Sequence, residues 1–390
     1  MRILRAKWSI VVGATALFWL PCRGQGLPQK QSTPRTNIAS HADEASASPQ
    51  SNTTARDELQ QGTTLTRQGR FKEAIRHLLA ARAELKNDYA LEFNLSLCYI
   101  GAGESGKAIP ILDGLRQQGH ENADVENLLA QAYIGSGQPD AALAAVERAA
   151  AVSPKNEKLF AFVADACRDT QDYELGLKVV DVGLRSLPQS ARLHYERAVF
   201  LSELDQFDRA KADFELASTL GRGSEIGYVA EGHERLLEGN VSDAIRIARE
   251  GIRQGNQNPA LLVILGKALL LSGIAPGQPE FAEAQYALEK ATAVRPRDPG
   301  AQIALGQLDL LAGHLDDAIA HLQAARQMRP DQASIYASLA KAYQRKGDLQ
   351  HAEEALATLE SLNKAQADRI RNAPGERKMG YTGTPSAQPK

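Results

Sequence analysis

A small residue returning at a fixed interval limits what this chain can fold into more than any other feature of it. Ala74, Ala108, Ala142, Gly176, Ala210 and Ala244 stand 34 residues apart, one step of 40 leads to Ala284, and steps of 34 resume at Ala318 and Ala352. Twelve residues before eight of them stands a second small residue, namely Gly62, Ser96, Ala130, Ala164, Ala198, Gly232, Gly306 and Ala340. Gly266 takes that place in the seventh unit, set back by six extra residues. Seven residues after come Ala81, Ala149, Gly183, Ala217, Gly251, Ala291 and Ala325, with Leu115 and Leu359 as exceptions. Self-similarity held in phase over this length marks a structure made by stacking one unit, in which chain length no longer counts separate cores.

The physical reading of the unit is two short antiparallel helices. Apolar residues recur at helical spacing, as in Leu128, Leu129, Ala132 and Tyr133 followed by Ala142, Leu143 and Val146. Two helices approach closely only where the facing residues are Ala or Gly, and larger residues four places after the small one (Leu78, Leu112, Val146, Val180, Phe214, Leu288, Leu322, Leu356) are expected to fill the gap toward the next unit. Pro154, Pro188, Pro296 and Pro330 share one phase just beyond the second helix, where proline turns the chain into the next unit. The six extra residues, Ile274 to Pro279, are rich in Pro and Gly and belong in the turn between two helices. They read as a tolerated surface insertion or as a binding loop.

This pattern resembles the tetratricopeptide repeat family over roughly Ala55 to Gln366, and the third unit, Ala123 to Asn156, matches almost throughout. It departs in lacking the family's Trp near the start of every unit, and in Arg235 and Asp309 where an aromatic or Leu is usual. The resemblance implies an all-α fold, a right-handed α-solenoid of about nine helix-turn-helix repeats. It further implies that the first helices line a concave groove that accepts peptides or helices of partner proteins. The family's groove-facing positions, 2, 5, 6, 9 and 12 of each unit, fall on Phe93, Asn94, Asn127, Gln131, Lys158, Asp165, Arg168, Arg192, Tyr195 and Ser202, with Lys341 and Gln344 in the last repeat. Asn94 and Asn127 are favoured among them, because an amide both donates and accepts toward a peptide backbone. The Lys and Asn set with which some family members grip a C-terminal carboxylate is missing from the first three repeats. Asn94 matches it, but Leu59, Thr63, Asp124 and Leu128 stand at its other places.

The ends of the chain read differently. Arg2, Arg5 and Lys7 precede an apolar run from Trp8 to Leu20, and Gly24 and Gly26 then supply small residues, so residues 1–26 are expected to be a cleaved secretory signal. That run is shorter than the ~20 residues that span a bilayer, and only if left uncleaved would it serve as a membrane tether. The residues before Cys22 do not form a lipobox. Residues 27–54 are dominated by Ser, Thr, Gln, Pro and Ala and read as a disordered linker, and residues 367–390 as a disordered basic tail. The foldable part then holds only Cys98 and Cys167, two repeats apart, and both are expected to be buried free thiols.

With 45 basic and 47 acidic residues the chain has no basic field for nucleic acid. Its eight histidines are scattered with no His-Glu-x-x-His or Cys-x-x-Cys, so neither a metal site nor another cofactor is expected. Gly101 to Gly106 is Gly-rich but sits between two helices, without the strand a phosphate loop needs. The sequence therefore predicts a non-catalytic scaffold of a bacterial periplasm or outer surface, either periplasmic or secreted, that binds protein or peptide partners. The alternative is a substrate-binding or regulatory subunit of an envelope enzyme or export complex.

Overall fold

The computed structural model describes residues 49–372, which form 18 α-helices and no strand. The helices come in nine pairs, of which the first five are α1 (Pro49–Arg67) with α2 (Phe71–Glu84), α3 (Tyr89–Gly101) with α4 (Ser105–Gln117), α5 (Ala123–Gly135) with α6 (Pro139–Val152), α7 (Glu157–Thr170) with α8 (Tyr173–Ser186), and α9 (Ala191–Glu203) with α10 (Phe207–Leu220). The remaining four are α11 (Glu225–Leu237) with α12 (Val241–Arg253), α13 (Pro259–Leu271) with α14 (Pro279–Val294), α15 (Pro299–Ala312) with α16 (Leu315–Met328), and α17 (Ala333–Lys346) with α18 (Leu349–Asn372). The chain divides into two compact units, residues 1–220 and 221–390, so that α1 to α10 belong to the first and α11 to α18 to the second.

One backbone device closes nearly every pair. When repeat positions are counted so that the small residue of the first helix is position 8, position 15 is left-handed in all nine repeats. Seven are glycines (Gly69, Gly103, Gly137, Gly239, Gly273, Gly313, Gly347), and the others are Gln171 at φ 60° and Asp205 at φ 58°. A left-handed residue lets the next amide reach back to the carbonyl five residues earlier, as from Arg70 to Leu65 at 3.0 Å and from Asp172 to Cys167 at 2.9 Å. What position 11 supplies to this turn is its carbonyl. Arg235 and Asp309 therefore accept from Asn240 at 2.8 Å and His314 at 2.9 Å, as their apolar counterparts do, and the sixth and eighth repeats close like the rest. The insertion after Gly273 forms its own turn instead, with the Gln278 side chain accepting from the Ala275 amide at 2.8 Å.

The small positions are small for a measurable reason. A Cβ on Gly62 would stand 2.7 Å from Leu78, and one on Gly306 would stand 2.6 Å from Leu322. The bulky residues at position 24 thus press on the first helix of their own repeat as well as closing the gap to the next. Leu78 and Leu322 are fully buried, while Leu356, with no described helix after it, is 42% exposed. Within each unit every first helix also touches the first helix of the following repeat, whereas second helices, α6 and α8 apart, do not touch one another. Each unit therefore packs more tightly along its first helices.

Position 4, where the family's Trp is missing, holds polar latches in several repeats. Glu126 is fully buried and receives Arg148 at 2.9 Å. His194 bridges Asp213 and the Pro188 carbonyl, each at 3.0 Å, and Gln302 bridges His321 at 2.7 Å and the Pro296 carbonyl at 3.0 Å. Tyr336 donates to the Pro330 carbonyl at 2.8 Å. A buried polar group must be paired, so each latch selects one register between a first helix and its surroundings.

Two boundaries differ from expectation. Helix α1 includes Pro49 and the residues that follow it, inside the stretch read as linker. Helix α18 includes residues 367–372, past Gln366. The signal sequence, most of the linker and most of the tail lie outside the described residues.

Candidate functional site

The residues expected to face the groove fall into three structural situations. Phe93 and Asn94 on α3 are half-buried. The Phe93 ring stacks on Tyr89 with centroids 5.7 Å apart, and the Asn94 amide donates to the Ala90 carbonyl of its own helix at 2.7 Å. On α5, Gln131 donates to the Asn127 side-chain oxygen at 2.8 Å, so these two amides partly satisfy each other. The donor of Asn94 and the acceptor of Asn127 are thus engaged within the protein.

On α7 and α9 the structure builds a charged network. Arg168 pairs with Asp165 one turn earlier and reaches Glu196 on α9 at 3.2 Å, while Arg192 stands 4.0 Å from Asp165 and 3.9 Å from Glu196. The Glu196 side chain is only 4% exposed. Burial works against the charge on Arg168, but Glu196 and Asp165 outweigh it and raise its pKa above the ordinary value. Glu196 was not singled out from the sequence. Its signal was its place at position 6, one turn after Arg192, where an i,i+4 pair meets.

Two expectations on α9 need correction. Tyr195 is buried, its ring 5.9 Å from Phe214 on α10, so it serves packing rather than an open face. An aromatic ring at that position reaches the gap between the helices of its own repeat, where burial of its apolar body is favourable. Ser202 is only partly exposed and its hydroxyl oxygen is buried with no hydrogen-bond partner. Lys158 on α7, and Lys341 and Gln344 on α17 in the second unit, stand exposed on their helices.

The rest of the chemistry is quiet. Cys98 and Cys167 are free and buried, and burial raises their pKa from 9.0 to about 11 and about 12, so neither carries a reactive thiolate at neutral pH. Gly103 occupies a helix-to-helix turn, which assigns the Gly101 to Gly106 stretch to structure. Among the described residues no group of three His, Cys, Asp or Glu is arranged to hold a metal, and no helix is long and apolar enough to cross a membrane.

This geometry is that of an α-helical repeat protein whose first helices carry the variable polar face. Family models described as tetratricopeptide repeat match residues 65–132, 278–341 and 309–373, and a second model of the same description matches residues 127–191. Together they span more than half of the chain, which belongs to the tetratricopeptide repeat family. The TPR repeat-containing protein YpiA of Bacillus subtilis (strain 168) is 24% identical over 265 residues, covering 66% of this chain and 59% of that protein. The chain thus spans about three fifths of that relative's length. Among solved structures, the APC/C hetero-tetramer Cut9-Hcn1 aligns with 80% of this chain and 68% of its own, at 16% identity and a TM-score of 0.48. YrrB, a TPR protein with an unusual peptide-binding site, aligns with 49% of this chain and 96% of its own, at 19% identity and a TM-score of 0.32.

Proposed function

We propose that this protein is a non-catalytic scaffold that binds proteins or peptides along its first helices, in a bacterial periplasm or on an outer surface. The observation that carries the binding reading is the α7 and α9 network. Asp165, Arg168 and Arg192 hold charge on a face where consecutive first helices touch, positioned by the buried carboxylate of Glu196. Charges held in place by neighbours lose little side-chain entropy when a partner docks, which makes them efficient recognition groups. Export is supported by the sequence alone, through the basic start, the apolar run to Leu20 and the polar stretch that follows.

The test is crosslinking of the tagged protein in its native cell, with mass spectrometry of retained partners and of the linked residues. Links from Asn94, Asn127, Arg168 or Arg192 to one recurrent envelope protein are expected. Links confined to the Ile274 to Pro279 turn or the chain ends would overturn the first-helix reading, and recovery of the protein in the cytoplasm would overturn the location.

A further inference from the structure

The second unit presents a different face at the same repeat positions. Positions 9 and 13 lie four residues apart and so share one face of each first helix. Along α11, α13, α15 and α17, position 9 holds His233, Lys267, Gln307 and Lys341, and position 13 holds Leu237, Leu271, Leu311 and Arg345. Each of these helices touches the next, so the two sets form parallel rows across them. Leu271 is 65% exposed and Leu311 48%, far more than isolated packing requires. Lys267 and Lys341 make no ion pair among the described residues, and the Lys267 ammonium lies over Gly300 at the start of α15, where a Cβ would stand 2.9 Å from it and 3.2 Å from the Asp298 carboxylate.

Charge distinguishes this face from that of the first unit. Positions 2, 5, 6, 9, 12 and 13 of these four helices include no Asp or Glu, whereas those of α7 and α9 include Asp165, Asp169, Glu196 and Glu203. Asp309 on α15 stands instead beside His314 and His321, at 3.7 and 3.8 Å, where burial raises its pKa. The face is therefore an aliphatic row beside a cationic one.

The spacing selects a conformation. Packed helices lie ~8–10 Å apart. A polyproline-II chain returns the same side-chain direction every third residue, after about 9.3 Å, while a β-strand does so every second residue, after about 6.6 Å. Resting on the proposed binding role, we infer that the second unit docks an acidic peptide in polyproline-II conformation with an apolar side chain at every third residue. The apolar side chains meet Leu237, Leu271 and Leu311 in turn, and the carboxylates meet Lys267 and Lys341.

The test uses full-length protein and fluorescent peptides built from Leu-Glu-Pro repeats, with Leu-Lys-Pro, Ser-Glu-Pro and alternating Leu-Glu peptides as counterparts. Leu-Glu-Pro is expected to bind about tenfold more tightly than each counterpart, with affinity falling as salt rises. Leu271→Asp and Lys267→Glu are each expected to weaken it about tenfold, and Leu271→Asp to do so without moving the thermal midpoint, since that side chain is 65% exposed. Equal binding of all the peptides, or indifference to both substitutions, would overturn the inference. Binding weakened only by Arg192→Glu would do the same while leaving the wider peptide-binding role intact. If wild-type protein binds none of the peptides the inference fails, and the cellular crosslinks decide the wider role separately. If Leu271→Asp turns a self-associated protein into a monomer in sedimentation, the rows cover a second copy and the peptide is excluded.

Discussion

The first helices α7 and α9 of one unit and α13 and α15 of the other obey the same repeat frame, yet their faces share almost nothing. The former hold Asp165, Arg168, Arg192 and Glu196 in a network tied across two repeats, and the latter expose Leu271 and Leu311 beside Lys267, which makes no ion pair among the described residues. The difference teaches that the frame constrains only the residues between helices. Position 8 must be small and position 15 must tolerate a left-handed backbone, whereas positions 9 and 13 are under neither constraint.

Six substitutions, in four tests, would break or sharpen this contrast. The largest effect is expected from Arg168→Met, which takes from the buried Glu196 carboxylate the arginine that stands 3.2 Å from it. The first unit should lose about 3 kcal/mol. Because Cys98 and Cys167 both lie in that unit and are buried, alkylation by iodoacetamide reads its opening separately from that of the second. Unchanged protection of both thiols would show that the network is peripheral. Next comes the shared frame. Ala142→Leu in the first unit and Gly306→Leu in the second should each cost about 1–3 kcal/mol by overpacking, measured by urea denaturation, and an unaffected midpoint in either would displace the repeat frame there.

A smaller effect separates the turns. The first unit places Gln171 in a left-handed conformation that the second reserves for glycine, so Gln171→Gly should stabilise by about 1 kcal/mol and the reverse change Gly313→Gln should destabilise by about as much. Equal and opposite shifts in thermal midpoint would confirm that the two turns are equivalent. The smallest effect belongs to the exposed row. Leu271→Gln should alter stability by no more than about 0.5 kcal/mol in the same melt, because a side chain 65% exposed contributes little to the core. A large loss there would mean that the leucine holds the fold rather than presenting a surface.

Much of the architecture was readable before any coordinates, and the reason is steric. A Cβ at Gly62 or Gly306 would collide with Leu78 or Leu322, so few residue types satisfy those sites and the requirement is printed in the chain as a period. The turns are legible for the same reason, except at Gln171 and Asp205, where the chain accepts strain that glycine would have avoided. The candidate face was less legible. Transferring groove positions found Asp165, Arg168 and Arg192, but it also selected Tyr195, whose ring is drawn into the packing around Phe214. Glu196 holds position 6 of the same frame but was not among the residues chosen, because a carboxylate becomes informative only once its two arginine neighbours are known to converge on it.

By itself, then, the sequence determined the number of repeats, the positions that must be small and the two thiols that would be buried. These depend on contacts within one repeat or between adjacent ones, whose rules recur and are therefore visible as repetition. Only the tertiary structure decided which polar side chains at position 4 latch a first helix to its surroundings, which charges cancel across α7 and α9, and which leucines stay in water. Those outcomes turn on a few ångströms between side chains from different repeats, a distance that spacing along the chain does not record.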